Sequence, residues 1–102
     1  MADMRGQIRK WLEGLGPTSA TVAESLRQIG IRGRQNSIDH CALARALETQ
    51  GCRDVRVYDS AYWSWAQWCD EQDRSYELAL PPWVRQFVRD FDAGKYPDLE
   101  EA

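Results

Sequence analysis

Chemistry-bearing residues are scarce in this chain. It has one histidine, His40, and three cysteines, Cys41, Cys52 and Cys69, in 102 residues. No two cysteines form a Cys-x-x-Cys pair, so the usual zinc spacing is missing. His40 and Cys41 are neighbours and would point about 100° apart on a helix. The sequence therefore predicts no metal site, with Cys41 in a core and His40 on a helix surface. The single histidine has no serine or cysteine partner evident along the chain. No glycine-rich loop joins a strand to a helix, which argues against a phosphate cradle. Asp90 and Asp92 fall at the end of a helical stretch, and Asp70, Glu71 and Asp73 read as a solvated turn. The expectation is a protein without catalytic residues and without a cofactor.

Long apolar runs are also missing, so neither a membrane span nor a signal core is predicted. An odd, sparse cysteine set then points to a reducing cytoplasm. Lysine is rare, and arginine carries most of the positive charge. The net charge of -3 gives no overall nucleic-acid signature. The charge is uneven, however: residues 1–26 are neutral, residues 27–56 are net basic, and residues 57–102 are strongly acidic.

What is present suits a small globular protein. Apolar residues make up 43% and charged residues 28%, and the length suits one domain that folds without staples. The clearest element is Leu80 to Leu99. Pro81 and Pro82 suit a helix start, Trp83, Val84, Phe87, Val88 and Phe91 recur on one face, and Gly94 and Pro97 stop it. Upstream, Ile8, Trp11, Leu12 and Leu15 mark a helix near residues 4–14. Val22, Ala23, Leu26 and Ile29 mark a second, capped by Thr18 or Ser19 and ended by Gly30. A loop, Ile31 to Asn36, precedes a third helix, capped by Asn36 or Ser37 and carrying Ile38, Cys41, Leu43 and Leu47. Gly51 ends that helix.

The period then changes. Cys52–Tyr58 and Ser75–Leu80 alternate as strands do. Tyr62–Trp68 is aromatic enough for a strand between them, although a helix capped by Asp59 or Ser60 competes for it. The predicted fold is α+β: three N-terminal helices, a small three-stranded antiparallel sheet and one C-terminal helix. Residues 1–102 form a single domain, with residues 1–3 and 98–102 expected to be loose.

Two surfaces stand out. Five tryptophans is a high count, and three of them, Trp63, Trp65 and Trp68, fall within six positions. In a strand, Trp63 and Trp65 point one way and Tyr62 and Trp68 the other. Four helices can cover one face of a three-stranded sheet, so aromatics are left for a partner, either another protein or a second copy of the chain. Trp11 or Tyr96 folding over the patch would remove it. The second surface is the order helix, Gly-Arg loop, helix, hairpin, which resembles a winged helix-turn-helix. Arg32, Arg34, Gln35, Asn36 and Arg45 would then touch DNA from the loop and third helix, and Arg53 and Arg56 from the wing. The acidic remainder of the chain argues against that alternative. A third alternative is a phage or mobile-element inhibitor of a host protein, which the sequence does not separate from the protein-binding reading.

Two segments also resemble a known group. Ser37-Ile38-Asp39-His40-Cys41-Ala42-Leu43-Ala44-Arg45-Ala46-Leu47 is similar to a helix in small uncharacterised actinobacterial or actinophage proteins. Leu80-Pro81-Pro82-Trp83-Val84-Arg85-Gln86-Phe87-Val88, with Phe91 to Leu99, looks like their C-terminal ending. The chain departs from the group at Ala42, where proline is expected, and in the tryptophan-rich stretch. The resemblance implies a bacterial or phage cytoplasmic origin and no activity.

Overall fold

The computed structural model describes residues 3–101. Its elements are α1 (Met4–Glu13), α2 (Ser19–Gln28), α3 (Ala42–Glu48), β1 (Arg53–Asp59), β2 (Ser64–Cys69), β3 (Ser75–Ala79) and α4 (Pro82–Asp92). A single 3-10 turn, Pro97–Leu99, follows. This is the predicted α+β class: three helices, a three-stranded antiparallel sheet in the order β1-β2-β3, and a last helix. No helix among the described residues is long and apolar enough to cross a membrane.

Local chemistry sets the helix boundaries. Asp3 caps α1 by accepting from the Arg5 amide at 3.3 Å. Thr18 and Thr21 form a reciprocal capping box on α2, satisfying amides that have no partner inside the helix. Pro82 starts α4 where no amide hydrogen is needed, and Gly94, at φ +82°, takes the left-handed stop. Inward faces then follow from spacing. Ile8 and Leu12 of α1, Val22, Ala23 and Leu26 of α2, and Val84, Phe87, Val88 and Phe91 of α4 are buried together. The Trp83 indole N–H donates to the Leu12 carbonyl at 3.1 Å, which fixes the start of α4 against the end of α1.

The third helix is shorter than its pattern suggested. Its cap is Cys41, whose sulfur accepts from the Ala44 amide, and not Asn36 or Ser37. Asn36 stands at φ +54° and gives its amide to the Asp92 carboxylate. Ile38 is spent on the sheet: its carbonyl accepts from the Val57 amide at 2.7 Å, and its side chain is exposed. These residues form a tight turn that continues the loop.

The acidic tail is docked, a second departure from expectation. Leu99 is 1% exposed. The Gly33 amide donates to the Leu99 carbonyl, and the Glu101 amide returns to the Gly33 carbonyl. A Cβ on Gly33 would stand 2.2 Å from the Ala42 nitrogen, so only glycine lets this loop pass so close to the start of α3. At the other end, Asp3 of the expected loose stretch is the α1 cap; residues 1 and 2, and residue 102, lie outside the described residues.

The sheet has one covered and one open face. Val55, Val57, Ser64, Ala66, Trp68 and Leu78 are buried against the helices. The opposite face carries two cross-strand rows, Arg56–Gln67–Glu77 and Tyr58–Trp65–Ala79. Asp54, at φ +50°, lies in an irregular step of β1 between Arg53 and Arg56. The extra residue restores the alternation that places Val55 and Val57 inside.

Candidate functional site, an aromatic sheet face

The β1–β2 connection is a four-residue turn. The Ser60 amide and hydroxyl both donate to the Trp63 carbonyl, at 2.9 and 2.8 Å. Tyr62 and Trp63 therefore sit in the turn, ahead of the strand in which the sequence placed them. They are 92% and 63% exposed. Ser64 then begins β2, and alternation carries Trp65 to the open face.

Trp65 joins two further rings. Tyr58 stacks on it across the strands, with centroids 4.9 Å apart and planes 20° apart. Trp63 is tilted against it, with centroids 5.7 Å and planes 50° apart. The three rings form one aromatic cluster centred on Trp65, and Tyr62, next to Trp63 in the chain, is almost wholly exposed. Aromatic pairs at these separations add to the apolar area they bury.

Trp68 belongs elsewhere. It is 1% exposed and stacks on Tyr76 at 5.5 Å on the covered face. Its assignment to the binding patch is corrected: a residue three places from Trp65 lies on the opposite face of a strand. Neither proposed cover closes the cluster. Tyr96 stacks on Phe87 at 5.5 Å, and Trp11 packs against the core.

A polar clamp holds the turn. Arg85 and Arg89 stand one helical turn apart on α4. Arg89 Nε donates to the Asp59 carboxylate at 3.1 Å, and Arg85 Nε lies 3.6 Å from it. Arg89 Nη2 donates to the Ser60 carbonyl at 3.0 Å, and Arg85 Nη2 to the Ser60 and Ala61 carbonyls at 3.2 and 3.3 Å. The Ser64 hydroxyl also donates to Asp59. The arginines thereby fix the loop that presents Tyr62 and Trp63. Tyr58, Asp59, Arg85 and Arg89 were not singled out from sequence, although the spacing of the two arginines on a polar helix face was readable.

The basic residues expected from the nucleic-acid alternative fall on several elements. Arg34 and Arg45 both pair with Glu101, the first at 2.9 Å. Arg53 reaches Asp73 at 3.5 Å. The Asn36 amide is held by Asp92 at 2.9 Å, and Gln35 lies beside Gly94. Arg32 and Arg56 are exposed on different elements and make no ion pair among the described residues. Within α3, Ala42, Leu43, Ala44, Ala46 and Leu47 are buried. Its remaining residues, Arg45 and Glu48, are half-buried and exposed respectively, so this helix of seven residues offers a short polar edge.

The cysteines are unpaired. Burial pushes the Cys41 thiol up to about 11 and the Cys52 thiol up to about 12. Thiolate is the reactive form, so both are inert packing groups at neutral pH. Among the described residues no cluster of three or more His, Cys, Asp or Glu is placed to hold a metal ion. No protein-family model, curated protein or solved structure matches the chain.

Proposed function

We propose that the chain is a non-enzymatic binding module that holds another protein through the open face of its sheet. The observation that carries this reading is the exposure of Tyr62 and Trp63 beside the stacked Tyr58–Trp65 pair. Large aromatics held in water lose the free energy that burial would return, and a continuous patch of them favours docking. The Arg85–Arg89 clamp adds order, since a fixed turn gives up little conformational entropy on binding. The working compartment in this reading is the cytoplasm, consistent with three unpaired cysteines.

The test compares capture of partners by the intact chain and by a Tyr62→Ser/Trp63→Ser variant, with mass spectrometry as the readout. The double variant should lose a stoichiometric partner while its circular dichroism melt stays close to the parent's. Trp68→Ala is the contrasting control. It removes a buried ring and should cost about 3–5 kcal/mol of stability. Partner capture unchanged in the folded double variant would reject the binding face.

A further inference from the structure

The outer edge of β3 is open, and the backbone dictates what it can bind. The Leu80 amide donates to the Ser64 carbonyl at 3.0 Å, and the Arg74 carbonyl accepts from the Asp70 amide at 3.0 Å. Backbone groups alternate sides along a strand, so Ser75, Glu77 and Ala79 turn theirs away from β2. All three residues are exposed, and their amides and carbonyls have no partner among the described residues. We propose that this edge pairs with the β3 edge of a second copy of the chain, antiparallel and about a two-fold axis, so that two sheets become one.

The opposite edge of the sheet stops the assembly at two copies. On β1 the Val57 amide already donates to the Ile38 carbonyl at 2.7 Å, and the irregular step at Asp54 breaks the strand before it. A bulge and a bridging loop blunt an edge against further pairing. β3 has neither: its register with β2 is unbroken and no loop bonds to its outer side among the described residues. One open edge per chain gives a closed pair, whereas two would give a filament. A second β3 is also extended before it binds. An unstructured peptide must first be ordered, at a cost in conformational entropy.

The charges along this edge are self-complementary and set the register. Helix α1 runs beside β3 in the same direction: Arg5 lines a hollow with Ser75 and Glu77, and Arg9 one with Ala79 and Leu80. Asp54 and Arg56, which share the first hollow, balance each other, and Glu13 shares the second. Glu77 accepts from Gln67 at 2.8 Å. Arg5, Arg9, Glu71 and Glu77 have no ion-pair partner among the described residues. Pairing Glu77 with Glu77 would oppose like charges. Pairing Ser75 with Glu77 of the second copy avoids that. It sets each Glu77 beside the other copy's Arg5, and the Glu71 turn beside the other copy's Arg9.

Sedimentation equilibrium of the full chain tests the pairing, at concentrations up to the order of 1 mM, where a pair held by one short edge is populated. The mass should rise from monomer to dimer and stop there. Glu77→Pro removes an amide that points away from β2 and so leaves the β2–β3 ladder intact. It should weaken dimerisation at least tenfold with an unchanged circular dichroism spectrum. Arg5→Glu should weaken it as well, and Arg5→Glu/Glu77→Arg should restore it; these two decide the matter if Glu77→Pro does not fold. The Tyr62→Ser/Trp63→Ser variant should dimerise as the parent does, because the edge and the aromatic turn are separate surfaces. A monomer throughout, or dimerisation untouched by Glu77→Pro in a folded variant, would overturn the proposal. Dimerisation lost in Tyr62→Ser/Trp63→Ser but kept in Glu77→Pro would mean pairing through the aromatic face, and would overturn it too. A monomeric chain whose capture of a different protein is lost on Glu77→Pro would give the edge to a foreign strand and reject the second copy.

Discussion

Asp70 shows how one side chain couples the sheet to pH. Burial alone would push its carboxyl up. Hydrogen bonds from the Arg74 and Gln72 amides, the Tyr76 hydroxyl and the Arg74 guanidinium outweigh burial and hold it down at about 2. The unfolded chain titrates near 3.8, so in acid the unfolded state binds the proton first. The stabilisation is complete above about pH 4 and is lost as the pH falls through about 2. Melting temperatures measured from pH 5 to pH 1.5 should fall steeply across that window. Asp70→Asn should flatten the slope there and lower the melting temperature at neutral pH; parallel curves for the two proteins would contradict the assignment. This turn was legible in the sequence as a polar reversal, but not as a structured one. The tryptophans show the same limit. Parity separates Trp65 from Trp68 without saying which faces the helices. Burial of Trp68 is settled by Tyr76, which joins it from β3, and by Val57 and Ala66 sharing its face.

At the scale of elements, boundaries were readable where one residue type is required. Pro82 and Gly94 bracket α4, and Thr18 caps α2, because each satisfies or removes a backbone group locally. The start of α3 was not readable. Ile38, Cys41 and Ala42 keep a helical spacing, yet the Ile38 carbonyl and Asn36 amide bond to β1 and α4, partners distant in sequence. The aromatic turn has the same dependence on distant contacts. Without Arg85 and Arg89, its Ser60 and Ala61 carbonyls would face only water. Arg85→Ala/Arg89→Ala should therefore speed amide hydrogen exchange across residues 60–64 by at least tenfold. Exchange at Phe87 and Phe91, inside α4, should stay unchanged, because those amides bond within the helix. Equal exchange in the turn would mean that the Ser60–Trp63 bonds hold it unaided.

For the whole molecule, the C-terminal residues close the fold. Pro97–Leu99 brings Leu99 into the core, Asp98 to Arg27 of α2, and Glu101 to Arg34 and Arg45. One short segment thus ties together α2, the loop after it and α3. Its acidic composition concealed this, since a charged tail with a single leucine reads as solvated. The two kinds of contact differ in weight. Ion pairs at the surface contribute little, because water and salt screen them and long side chains must be ordered. Truncating a fully buried leucine removes apolar contacts and leaves a cavity, at about 2–5 kcal/mol. In a chain of this size that lowers the melting temperature by on the order of 10–30 °C. Leu99→Ala should show such a fall in thermal denaturation, and Glu101→Gln a much smaller one that shrinks further in high salt. If Glu101→Gln instead matched Leu99→Ala, the segment would be held by charge, and its closure of the fold would depend on ionic strength.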